Sequence, residues 1–240
     1  MAEIIPAILP KNYEDLKNKI AFAREATNLV QIDICDGNFV KSVTWPFLGR
    51  SEEGEEFLEN SFDDHFRRIL NEEEGMPFWE DVDFELDLMV LNAVPNFDIY
   101  TKLGPKRIIF HIEAVGAILD FKDFLEGIDM YIRDTISIGV AINPATSLEE
   151  LYPLTNYIDF VQVMGSDEIG YSGIELDEKV YEIVKTLREK YYDLPIAVDI
   201  GVNQTTASRL IEAGASKLVI GSAIFNSDDI IERVEMFRSL

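Results

Sequence analysis

The chain has 240 residues, of which 47% are hydrophobic, so it is long enough to bury a sizeable core and its composition argues against disorder. Its formal net charge of -24 argues against nucleic acids and anionic membranes as partners. The only cysteine, Cys35, excludes an internal disulfide and a cysteine-rich zinc site. No apolar run reaches the roughly 18 residues of a membrane span, and no leader pattern opens the chain, so we expect a cytoplasmic protein.

Short apolar runs alternate with amphipathic segments along the chain. The predicted strands are residues 3–9, 30–35, 84–90, 107–113, 137–142, 157–164, 194–199 and 217–220. Such near-continuous apolar runs are typical of a parallel sheet that is buried on both faces. Eight strand–helix units in about 250 residues predict an α/β fold of the TIM (β/α)8 barrel type. An open doubly wound sheet is the alternative, but no glycine-rich fingerprint follows the first strand.

Periodic apolar positions place the helices. Asn12 is the predicted N-cap of a helix that buries Leu16, Ile20 and Ala23, and further helices are expected near 117–132 and 205–213. An acidic segment at about 48–82 carries apolar residues at helical spacing. These residues are Phe57, Leu58, Phe62, Phe66, Ile69 and Leu70. We expect one domain over 1–240, with this segment as a helical insertion on the barrel exterior; a lid or a partner-binding element is the alternative.

Polar residues end several otherwise apolar strands. They include Asp33, Asp36, Asp87, His111, Glu113, Asn143 and Asp199. The carboxyl ends of TIM-barrel strands carry the active site, so Asp33 and Asp199 are expected to face each other across its mouth. Two such carboxylates suit the inversion of a carbon beside a carbonyl, in which one group removes a proton and the other returns one from the opposite side. Structural carboxylates that cap nearby helices are the alternative.

The last loops offer an anion site. Gly201, Gly221 and Ser222 end the last two strands and lead into helices, where TIM barrels often bind phosphate. The sixth loop could add backbone N–H groups from Gly170, Tyr171, Ser172 and Gly173. Because the net charge repels anions, a phosphate site needs such local donors.

Several segments together resemble the ribulose-phosphate 3-epimerases of the pentose phosphate and Calvin pathways. The segments are Pro6-Ala7-Ile8-Leu9, the run from Asp33 to Val40, Leu88-Met89-Val90, Phe110-His111-Ile112-Glu113, Asn143-Pro144-Ala145-Thr146, Val198-Asp199-Ile200-Gly201 and the run from Gly214 to Phe225. They follow the family order and cover nearly the whole chain outside the acidic segment. The resemblance implies conversion of D-ribulose 5-phosphate to D-xylulose 5-phosphate through an enediolate, with Asp33 and Asp199 as the acid/base pair.

The resemblance also implies a ligand set. Substrate contacts would come from Leu9, Met89 and Met164, and phosphate contacts from the glycine and serine positions already named. Family members bind a divalent metal, commonly zinc, with two His and two Asp. At those positions this chain has Gln31, Asp33, Asp87 and Asp199.

An all-oxygen set suits Mg²⁺ or Mn²⁺ better than Zn²⁺. A site without metal that works with a protonated Asp, and a loss of activity, are the alternatives. Ala7, Cys35 and Ile200 also depart from the family pattern, and Ile200 stands where the family backbone approaches the phosphate. For His111 we expect a hydrogen-bonded strand residue rather than a ligand.

We therefore expect a carbohydrate-metabolism isomerase that acts on a small sugar phosphate. Action on another ketose phosphate is one alternative, and a catalytically degenerate barrel that serves as a binding protein is the other. A homo-oligomer follows from the resemblance alone.

Overall fold

The structure, a computed structural model, describes residues 2–50 and 61–240. In this part of the chain eight parallel strands close into a barrel, each pairing with its neighbours in chain order. The predicted TIM barrel is thereby confirmed. The strands are β1 (Glu3–Ile8), β2 (Leu29–Cys35), β3 (Asp83–Met89), β4 (Arg107–His111), β5 (Ser137–Ile142), β6 (Phe160–Met164), β7 (Ile196–Asp199) and β8 (Lys217–Ile220).

Helices cover the outside of the barrel. They are α1 (Tyr13–Ala23), α2 (Asp64–Leu70), α3 (Phe97–Thr101), α4 (Ile118–Gly127), α5 (Met130–Thr135), α6 (Leu148–Leu151), α7 (Lys179–Lys190), α8 (Ala207–Ala213), α9 (Ser222–Phe225) and α10 (Ile230–Arg238). Asn12 caps α1 as predicted, because its side chain accepts a hydrogen bond from the Asp15 amide. Among the described helices, none combines the length and apolar character needed to cross a bilayer.

Several predicted boundaries are wrong. The helix expected over 117–132 is two helices, α4 and α5, because Asp129 starts a new N-cap by accepting from the Tyr131 amide. Strands β6 and β7 begin at Phe160 and Ile196, later than predicted, and β4 ends at His111, where a short 3-10 helix begins. The register pairs of β6 and β7 with their neighbours begin only at Phe160 and Ile196.

The described part of the acidic segment after residue 60 packs on the outside of the barrel. In α2, Phe66 and Ile69 are buried, and Phe62 just before the helix is buried too. The predicted helix is wrong at Phe62, which forms an antiparallel bridge with Phe47 before α2 begins at Asp64. Phe57 and Leu58 lie outside the described residues, so helix at those positions stays a prediction. The single-domain organisation over 1–240, with an insertion at 48–82, likewise stays a prediction.

Glu74 connects this segment to α1 through side-chain contacts. Glu74 accepts the Tyr13 hydroxyl at 2.7 Å, lies 2.9 Å from Nδ1 of His65 and pairs with Arg68. The rings of Tyr13 and His65 stack with centroids 3.8 Å apart.

The alternation of side chains along each strand determines which of them point into the barrel interior. Val30, Ile32 and Ile34 of β2 pack outward in the core under the helices. Gln31 and Asp33 therefore point inward, because successive side chains of a strand lie on opposite faces. The same period applies to β3, where Glu85, Asp87 and Met89 share one face.

Candidate active site

One cavity of about 610 Å³ opens at the carboxyl ends of the strands. Every residue predicted as catalytic or substrate-binding lines it. These residues are Leu9, Asp33, Met89, Met164, Gly170, Tyr171, Ser172, Gly173, Asp199, Gly201, Gly221 and Ser222. The two remaining predicted ligands, Gln31 and Asp87, are fully buried and do not line the cavity.

A single amide joins the two predicted acid/base residues. The Nε2 of Gln31 donates to Oδ1 of Asp33 and to Oδ2 of Asp199, each at 2.8 Å. Asp33 keeps part of its surface open to the cavity, whereas Asp199 is 7% exposed. The carboxylates expected to face each other across the mouth are therefore brought together by the residue two positions before Asp33.

The third carboxylate, Asp87, is fixed from two other strands. Its Oδ1 lies 2.8 Å from Nε2 of His111, and its Oδ2 accepts from Nε2 of Gln162 at 3.2 Å. His111 and Gln162 are both fully buried. His111 is thus the hydrogen-bonded strand residue that the sequence predicts. Oxygens of Asp33, Asp87 and Asp199 all lie within 4.8 Å of one another, close enough to share one cation.

This crowding changes the acidity of the group. Burial, together with the charges of Asp199 and Asp87, holds the pKa of Asp33 well above its usual range. Burial and the Asp87 charge raise the pKa of Asp199 to about 7. Burial by itself would lower the pKa of His111, but the Asp87 carboxylate outweighs it and the pKa lies above its ordinary value. Near neutral pH the Asp33–Asp199 pair therefore retains a proton, as a general acid requires.

The loop after β7 has an unusual backbone conformation. Ile200 has a φ of 73°, a left-handed conformation that a β-branched residue rarely adopts, and its N–H donates to Oδ1 of Asp199 at 2.7 Å. Gly201 follows with a φ of 70°, and a Cβ there would lie 2.5 Å from the Leu176 amide nitrogen. A Cβ on Gly165 would collide with the Ile200 carbonyl. The sixth and seventh loops thus meet through two glycines.

Two other carboxylates at strand ends have structural partners. Asp36 accepts the amides of Asn38, Phe39 and Leu91, which fixes the loop after β2. Glu113 accepts the Asn143 amide at 2.8 Å and joins β4 to the loop after β5. Asp36 and Glu113 therefore stabilise loops, and the structural alternative weighed for Asp33 and Asp199 stays open.

Several cavity residues were not predicted from the sequence. Lys11, Lys19, Asn203 and Asn226 line the cavity, and Lys19 also donates to the Leu9 carbonyl at 3.1 Å. Their signal is weak, because lysines and asparagines in loops and on helices usually face solvent. Gln162 was missed as well: it lies in the interior of an apolar strand, where a polar side chain needs a partner.

Comparison with known proteins identifies the family of the chain. The model of the ribulose-phosphate 3 epimerase family matches residues 69–225. The chain belongs to this family. Curated members resemble it over nearly its whole length: a ribulose-phosphate 3-epimerase of Methanocaldococcus jannaschii is 29% identical and covers 99% of this chain and 90% of its own. One from Eremothecium gossypii is 28% identical over 94% of this chain and 87% of its own.

Solved structures support the fold alone. KGPDC from Streptococcus mutans aligns with a TM-score of 0.68 at 12% identity and covers 99% of this chain and 96% of its own. The 3-hexulose-6-phosphate synthase from Salmonella typhimurium aligns at 0.62 and 14% identity, over 99% and 97%. The resemblance to the epimerases is thus confirmed at the level of family and fold.

Proposed function

We propose that this epimerase-family protein inverts C3 of a phosphorylated ketopentose, converting D-ribulose 5-phosphate to D-xylulose 5-phosphate with Asp33 and Asp199 as the acid/base pair. The observation that carries the proposal is the bridge from Gln31 to both carboxylates, which holds them together at the wall of one cavity. The comparisons do not favour a different ketose phosphate or a purely binding role.

The proposed reaction needs one carboxylate and one carboxylic acid. The ionised member of the pair removes the C3 proton, whose acidity comes from the neighbouring ketone, and an enediolate forms. The protonated member then delivers a proton to the opposite face of C3, which inverts the centre. The raised pKa of Asp33 and the pKa of about 7 for Asp199 support a pair that shares one proton near neutral pH.

The donor atoms fit a hard divalent cation. Three carboxylates within 4.8 Å of one another repel unless a cation or protons compensate them, and Oε1 of Gln31 is buried without a partner among the described residues. Gln31, Asp33, Asp87 and Asp199 would hold Mg²⁺ or Mn²⁺ in preference to Zn²⁺, because all the donors are oxygen. When bound, such a cation stabilises negative charge that develops on the sugar oxygens.

The rest of the cavity suits a sugar phosphate. Met89 and Met164 supply an apolar wall, and we assign the phosphate to the loops that carry Gly201, Gly221 and Ser222. Lys11 and Lys19 are positive groups at this cavity in a chain of net charge -24, so they favour an anionic substrate locally.

The test is hydrogen exchange at C3. Ribulose 5-phosphate is incubated with the protein in D₂O, with and without Mg²⁺, Mn²⁺ or Zn²⁺, and NMR follows deuterium entering at C3 and xylulose 5-phosphate appearing. Asp33→Asn and Asp199→Asn should each lower turnover by about 10²–10⁴-fold. Asp120→Asn, which changes an exposed carboxylate on α4, should leave it unchanged. Turnover that survives either cavity substitution would refute the two-Asp mechanism.

A further inference from the structure

The buried amide of Gln31 uses only half of its hydrogen-bonding capacity. Its Nε2 donates to Asp33 and Asp199, both at 2.8 Å, and the side chain is fully buried. Its Oε1 has no hydrogen-bond partner in the part of the chain that the structure describes. Buried side-chain oxygens are usually satisfied, so an acceptor left unpaired beside three carboxylates points to a ligand.

The spacing at this amide is compatible with a coordination shell. Mg²⁺ holds its ligands at 2.0–2.1 Å in an octahedron, which places adjacent ligand atoms about 3.0 Å apart and opposite ones about 4.2 Å apart. The amide nitrogen of Gln31 lies 2.8 Å from an oxygen of each neighbouring carboxylate, close to the adjacent-ligand spacing. The oxygens of Asp33, Asp87 and Asp199 lie within 4.8 Å of one another. The nitrogen itself cannot ligate, because an amide NH₂ only donates.

We propose that Gln31 has two functional orientations. In the metal-free protein its NH₂ bridges Asp33 and Asp199 in place of a cation. When Mg²⁺ or Mn²⁺ binds, the amide makes a half-turn about the Cγ–Cδ bond and Oε1 becomes a ligand. This inference rests on the proposed function, because it concerns the same site.

The electrostatics reverse between the two states. Without a cation, an amide oxygen pointed at two carboxylates is repelled, and the NH₂ is the favoured group there. With a cation between the carboxylates, the NH₂ is repelled and the oxygen is attracted. The torsion that exchanges the two atoms is broad and roughly two-fold, so the turn needs no backbone movement.

The carboxylate of Asp87 is already oriented by hydrogen bonds and can bind the same cation. His111 and Gln162 already hold its two oxygens from β4 and β6, as partners of a metal-ligating carboxylate commonly do. These two are positioning residues: they orient Asp87 and do not touch the cation. A set of carboxylate and amide oxygens selects Mg²⁺ or Mn²⁺ over Zn²⁺.

Crystal structures of the purified protein with and without Mn²⁺ test the turn directly, since anomalous scattering locates the ion. We expect a Gln31 side-chain atom about 2.2 Å from Mn²⁺, which only an oxygen can be, and the unchanged bridge without it. Mn²⁺ bound with Gln31 beyond about 3 Å, or no saturable Mn²⁺ binding in solution, would overturn the proposal.

Calorimetry on matched variants separates the two orientations. Gln31→Glu keeps an oxygen ligand but loses the bridging donor, so it should bind Mn²⁺ at least as tightly as the wild type while its metal-free form melts at a lower temperature. Gln31→Met removes both roles and should bind Mn²⁺ at least tenfold more weakly. Gln204→Met, at an exposed position of the loop after β7, is the control and should change neither measurement.

Two results of these calorimetric measurements would contradict the turn of the Gln31 amide, and one further result would bear only on the proposed function. Equal Mn²⁺ affinity in Gln31→Met and the wild type, or a metal-free Gln31→Glu protein of unchanged melting temperature, contradicts it. Binding and orientation are measured without sugar. A protein that binds Mn²⁺ as described but exchanges no C3 proton would therefore refute the proposed function and leave this inference standing.

Discussion

The closed end of the barrel, opposite the cavity, contains a buried charge whose stability effect depends on pH. Glu85 is 1% exposed and accepts from Nη1 of Arg107 at 2.9 Å, while Arg107 also bonds Glu3 and Lys217 lies 3.7 Å from Glu3. Burial raises the pKa of Glu85 from 4.5 to about 7, although Arg107 and Lys217 act to lower it. Folding therefore disfavours the ionised form of Glu85 relative to the unfolded chain.

Glu85→Gln isolates this effect, because glutamine cannot ionise. A carboxyl with a higher pKa in the folded than in the unfolded protein stabilises the fold fully below the unfolded pKa, and this contribution is lost as pH rises through the folded pKa. With pKa values of 4.5 and about 7, the free energy of unfolding from this group falls by about 2.5 kcal/mol between pH 5 and pH 8. The wild type should lose that amount relative to Glu85→Gln in urea titrations at the two pH values. Parallel curves for the two proteins would refute the assigned pKa.

Arg107→Met probes the same pair from the other side. At pH 8 it leaves Glu85 buried without its main cation, which should cost about 3–5 kcal/mol. At pH 5 the carboxyl is protonated in the folded protein, so the cost should be clearly smaller. Arg209→Met is the control: Arg209 and Glu178 form an exposed pair, with side chains 54% and 75% accessible, and its loss should cost no more than about 1 kcal/mol at either pH.

Three other substitutions have defined outcomes. Ile200→Gly removes about 1–2 kcal/mol of left-handed strain but also a partly buried side chain, so the free energy of unfolding in urea should change by less than about 1 kcal/mol. The KM for ribulose 5-phosphate should fall. A rise in KM would contradict a close approach of the backbone at residue 200 to the phosphate. Lys19→Met should lower kcat/KM severalfold and weaken its salt dependence, and an unchanged salt dependence would exclude steering by this charge. Glu74→Ala removes the acceptor shared by Tyr13 and His65 and should cost about 1–3 kcal/mol in urea with turnover unaffected; lost turnover would place the acidic segment in the reaction.

The barrel could be predicted because its signal is local. The alternation of Val30, Ile32 and Ile34 with Gln31 and Asp33 assigns the two faces of β2 from one segment. The predicted strand boundaries are wrong where they depend on pairing between strands, because that pairing is not a local property of the sequence. The predicted strands include residues 157–159 and 194–195, but the register pairs of β6 and β7 begin only at Phe160 and Ile196.

The cavity residues could be predicted for a related reason. In a parallel barrel every strand end reaches the same rim, so Asp33 and Asp199 come together whatever their separation in sequence. The position of a residue along the chain does not show which polar groups then form hydrogen bonds with each other. The contact of Asp87 with Gln162, 75 residues later, depends on side-chain conformations across the barrel interior.

Gln31 is one of the residues at which this chain departs from the family pattern, and its role depends on those contacts. A glutamine at position 31, judged alone, is a lost nitrogen ligand and suggests a lost activity. In the barrel its NH₂ reaches both carboxylates of the proposed acid/base pair, and its oxygen is left without a partner in the described residues. One side chain thus compensates two negative groups without a cation and still carries a donor atom for one. Retention of both Asp33 and Asp199 beside such an amide is the reason why we propose an altered metal preference rather than a degenerate site.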